Sequence, residues 1–101
     1  MSQPDALALA KQGNPRAIAA ILNHWLRSLG ITAKATNQGD CLYLLFEAPI
    51  TPKQESVVAF VRTVMRQLEI KSIRAVKIYG RPVDGKHTVW QQGIELQGMT
   101  S

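Results

Sequence analysis

One cysteine, Cys41, stands among 101 residues. That excludes an internal disulfide and fits a reducing compartment. Histidine is nearly as scarce, with His24 and His87 alone. One thiol and two distant imidazoles give no ligand spacing for a metal. Nucleophilic catalysis would need a base beside the nucleophile and a group orienting that base, and no such arrangement is readable here. Cys41 lies beside Leu42 in an apolar run, where a small apolar filler is expected. Acids number seven against twelve bases. Asp5, Asp40 and Asp84 fall in caps or turns, so paired carboxylates for acid–base chemistry are poorly supported. No catalytic residue, metal, cofactor or small-molecule substrate is therefore expected.

Long apolar runs are absent as well, and none approaches the roughly 20 residues needed to span a bilayer. The N-terminal MSQPDALALAKQG carries an acid and no basic region ahead of its apolar stretch, unlike a signal peptide. Cytoplasmic residence without a membrane partner is expected. No tract rich in Pro, Gly or Ser divides the chain, so one domain over 1–101 is expected, ordered from about 3 to 96. Its hydrophobic share of 46% against 19% charged suits a globular fold rather than disorder.

What the chain does have is positive charge, +5 at neutral pH. Between residues 62 and 86, seven bases (Arg62, Arg66, Lys71, Arg74, Lys77, Arg81 and Lys86) stand against Glu69 and Asp84. That local excess equals the whole. It fits either a solvated face or an anionic partner.

Periodicity orders the elements as helix, helix, strand, strand, helix, strand, strand. The first helix is expected over 2–12, with Ser2 and Asp5 as a capping box and Gly13 as its stop. AKQGNPRAI is similar to a phrase of helical repeats, but a single copy cannot stack, so a helix stop and a restart capped at Asn14–Pro15 is preferred. The second helix carries a stripe of Ile18, Ile21, Leu22, Trp25, Leu26 and Leu29, opposite Arg16, Asn23, His24 and Arg27. This stripe predicts Trp25 buried against the third helix. That helix is expected to start at Thr51-Pro52-Lys53-Gln54, a second capping-box pattern, and to bury Val57, Val61, Val64 and Leu68. Strands are expected over 31–37, 41–47, 73–79 and 88–96, with a turn over 37–40. The implied fold is α+β in two layers, with the helices on one face of the sheet.

Within YGRPVDGKHTVW, residues 79–90, the glycines and bases could suggest a phosphate cradle. The residues after Gly85 favour a strand, however, so no helix N-terminus is available to hold an anion. Pro82-Val83-Asp84-Gly85 is ordinary turn chemistry.

The helix-free face carries more information. CLYLLFEA is apolar at both parities, which is costly if one side meets only water. Alternation assigns Lys34, Tyr43, Leu45, Lys77 and Tyr79 to this face, with Trp90 expected to join them. Aromatics interleaved with lysines serve protein interfaces and also stack single-stranded bases.

The phrases DALALAKQGNPRAIAAILN, GITAK, CLYLLFEA, VVAFVR, SIRAVKIYGR and Trp90 ahead of IEL carry a resemblance over about residues 5–96. Together they resemble a small domain of unassigned function that recurs in cyanobacterial proteins. The resemblance implies an intracellular, non-enzymatic module and brings no site residues to carry over. The expected function is a non-catalytic interaction or regulatory module, binding a protein partner or a second copy through Tyr43, Leu45, Tyr79, Trp90, Lys34 and Lys77. The alternative is a domain for single-stranded or structured RNA using Arg62, Arg66, Arg74, Lys77, Arg81 and Lys86.

Overall fold

A computed structural model describes residues 5–96; the expected cap at Ser2 and the expected fraying of 97–101 lie outside them. Among the described residues the chain forms α1 (Ala6–Lys11), α2 (Pro15–Leu26), β1 (Thr32–Gln38), β2 (Cys41–Ala48), α3 (Gln54–Leu68), β3 (Ala75–Pro82) and β4 (Trp90–Glu95). The element order is the one that the periodicity predicts. A turn of 3-10 helix, Arg27–Leu29, extends α2.

Local chemistry explains most of the boundaries. Asp5 accepts the Leu7 N–H at 3.0 Å and is itself the cap of α1, which runs from Ala6. Gly13 separates the first two helices at φ +90°, where any Cβ would also strike the Ser72 hydroxyl. Asn14 then accepts the Ala17 N–H at 3.1 Å, and Pro15 fills the first helical position, which needs no amide donor.

The expected capping box at Thr51 does not form. α3 begins at Gln54, and its cap, Lys53, makes no side-chain bond. Tertiary bonds recruit the residues instead. The Pro52 carbonyl accepts the Trp90 indole N–H at 2.8 Å, and the Gln54 amide donates to Gln92 Oε1 at 2.8 Å.

The strands lie in spatial order β1-β2-β3-β4. β1–β2 and β3–β4 are antiparallel, whereas β2 and β3 are parallel and are joined through α3. Leu42, Leu44, Phe46, Val76, Ile78 and Ile94 share one sheet face and form a single core with Ile18, Leu22, Leu26, Val57, Val61, Val64 and Leu68. The helices therefore cover one face. Each fully buried leucine or phenylalanine there contributes about 1.5–3 kcal/mol.

The second helix is rotated from the expected setting. Asn23, assigned by pattern to the polar side, instead faces β1: its Oδ1 accepts the Ala33 N–H at 2.7 Å and its Nδ2 donates to the Ala33 carbonyl at 2.9 Å. Two helical positions turn the side chain by about 200°, so Trp25 points nearly opposite to Asn23. The buried line runs Ile18–Leu22–Leu26, and Trp25 is 63% exposed, edge-on to His24, rather than packed against α3. Leu29 is exposed too.

The last two strands also shift. β3 continues through Tyr79-Gly80-Arg81 to Pro82, and β4 starts only at Trp90. The expected turn remains between them, closed by the Gly85 N–H donating to the Pro82 carbonyl at 2.9 Å.

Candidate interaction face

On the helix-free face, register sets the neighbours. Lys34 lies beside Leu45, which lies beside Tyr79; Thr36 lies beside Tyr43, which lies beside Lys77. The parity argument for the tyrosines is met. Tyr43 and Tyr79 are half-buried and stacked, with ring centroids 6.5 Å apart and planes 13° from parallel. Lys77 Nζ sits 5.8 Å from the Tyr43 ring centroid, within reach of a cation–π attraction. Leu45 is half-buried next to them.

Trp90 does not belong to this face. It shares parity with Gln92 and the buried Ile94, so it points towards the helices, and its indole crosses Gly80. A Cβ at Gly80 would overlap that ring. The glycine of YGRP thus serves close packing.

The residue that pattern reading passed over is Glu47. It lies on the same face, yet its side chain is only 7% exposed. Arg81 Nε donates to Glu47 Oε2 at 2.7 Å, and Lys34 Nζ lies 3.3 Å from Oε1. The Arg81 hydrogen bond is the main cause holding the Glu47 carboxyl below its ordinary pKa, with Lys34 assisting and burial opposing. One sequence signal pointed to it: an acid inside CLYLLFEA at the parity of Tyr43 and Leu45.

The six bases proposed for RNA are not brought together. Arg62 and Arg66 are exposed on α3, in the layer opposite the open face. Arg74 lies 3.8 Å from the Asp40 carboxylate, Arg81 is held by Glu47, and Lys86 is in the exposed loop before β4. Of the six, Lys77 and Arg81 share the face of the tyrosines, and Lys77 reaches the Tyr43 ring. Cys41 is half-buried at the start of β2, and His87 is exposed in the loop.

Among the described residues no helix is long and apolar enough to cross a membrane, and no three His, Cys, Asp or Glu side chains converge as metal ligands would. No family model, curated protein or solved structure matches the chain.

Proposed function

We propose that this protein is a non-catalytic binding module that captures a protein partner on its helix-free sheet face. The observation that carries this reading is the stacked Tyr43–Tyr79 pair, held half-exposed beside Leu45. Rigid tyrosines add large contact area at low entropic cost, and such residues anchor protein interfaces. Charge favours protein over nucleic acid. Two of the three cations on the face, Lys34 and Arg81, are already paired with Glu47, leaving Lys77 as the ammonium beside the rings.

The test is capture of a partner from native extract with and without nuclease, then direct titration of the purified partner. The paired change Tyr43→Ser and Tyr79→Ser should leave circular dichroism unchanged and weaken binding at least tenfold. Parent binding should survive nuclease and fall little with salt. Normal binding by the double variant would remove the sheet face as the site.

A second reading has its own observation: Lys77 above Tyr43 could pair a phosphate while a base stacks on the rings. Nuclease-sensitive capture that falls steeply with salt would transfer the function to single-stranded nucleic acid.

A further inference from the structure

The two edges of the sheet are treated differently. On β1, the Asn23 side chain occupies both the N–H and the carbonyl of Ala33, which point away from β2. An outside strand cannot pair there without displacing it. Among the described residues β4 has no such plug. The Leu96 N–H donates to the Arg74 carbonyl at 2.8 Å, so the ladder bonds of this antiparallel pair fall on the parity of Gln92 and Ile94. The backbone of Gln91, Gly93 and Glu95 therefore points outward. All three residues are exposed, and no hydrogen bond among the described residues reaches these outward groups. The strand contains neither proline nor lysine, the residues that commonly block an edge.

A row of free amides and carbonyls selects an extended strand as its partner. We propose that β4 pairs antiparallel with β4 of a second copy, about a two-fold axis at Gly93, and continues the sheet to eight strands. Self-complementarity of hydrogen-bonding side chains selects both occupant and register. Gln91 and Glu95 lie equally far from Gly93, so this axis sets the Gln91 amide of each copy opposite the Glu95 carboxylate of the other. Parallel in-register pairing, or an axis at Glu95, would oppose the two carboxylates. Among the described residues nothing lies within 4 Å of the place a Cβ would take at Gly93, so the axis is open to close approach. The axis stands perpendicular to the sheet, so the tyrosine faces of both copies lie on the same side. This inference does not depend on what that face binds.

Sedimentation equilibrium over a concentration series tests it, with the parent chain and three variants. The parent should dimerise. Gln91→Lys, which creates two ion pairs with Glu95, should tighten the dimer about three- to tenfold, and Gln91→Glu should weaken it by a similar factor. Both shifts should shrink at high salt. Gly93→Pro removes an outward donor while the ladder to β3 keeps its bonds, so it should give a monomer with unchanged circular dichroism. The Tyr43→Ser and Tyr79→Ser pair should dimerise like the parent. A parent that stays monomeric at every concentration overturns the proposal. So does a dimer that responds to Gln91→Lys and Gln91→Glu in the same direction or not at all, or one abolished by the tyrosine changes. Should Gly93→Pro fail to fold, the two Gln91 variants still decide.

Discussion

At the residue scale, Glu47 shows why an acid is retained in an apolar strand. Its carboxylate is almost sealed from water, with Arg81 and Lys34 as partners that reach solvent, so the pair is only half desolvated. The folded-state pKa lies below the ordinary 4.5, meaning that the folded protein binds the proton less readily than the unfolded chain. The stabilisation is therefore complete above about pH 4.5 and is lost as pH falls through the lower folded-state value. Glu47→Gln should cost about 1.5–3 kcal/mol near neutrality and flatten the acid limb of urea midpoint against pH. An unchanged acid limb would show that the contact is energetically idle.

Among the elements, α2 decides the most. Its amphipathic pattern specifies a helix but leaves a choice of rotation, because Trp25 and Leu29 extend the apolar stripe beyond what β1 can cover. The two Asn23–Ala33 bonds select the rotation that buries Leu22 and Leu26 and exposes Trp25. Asn23→Ala should then cost about 1–3 kcal/mol, since it strands the Ala33 backbone groups, whereas Trp25→Ala should stay within about 1 kcal/mol. Urea denaturation of the two variants checks the order. A larger loss for Trp25→Ala would restore the stripe as it was read from the sequence. α3 behaves differently: its valine stripe matches its buried face, and only its start was misread, because Pro52 and Gln54 are used by Trp90 and Gln92.

Taken whole, the molecule separates its two functional candidates by layer. The tyrosines and Lys77 lie on the open face, and Arg62 with Arg66 lies on the helical layer. The basic stretch that is continuous in sequence is thereby divided in space. Arg62→Gln with Arg66→Gln should leave partner binding unchanged within about twofold, because exposed charges so separated are screened at physiological salt. Loss of binding in that variant, measured by the same titration, would move the site to α3.

The sequence by itself determined the order and type of the elements, the parity that puts Tyr43 and Tyr79 together, and the turn at Pro82. These follow from periods of 3.6 and 2 and from local backbone preferences, which act over a few residues. Only the tertiary structure decided the rotation of α2, the inward turn of Trp90 over Gly80, the division of the basic stretch and the burial of Glu47. Each depends on a partner distant in the chain: Ala33 for Asn23, Pro52 for Trp90, Arg81 and Lys34 for Glu47. A pattern of polarity records that a side chain can bond or bury. Which bond it makes is fixed when the sheet register brings the partner within about 3 Å.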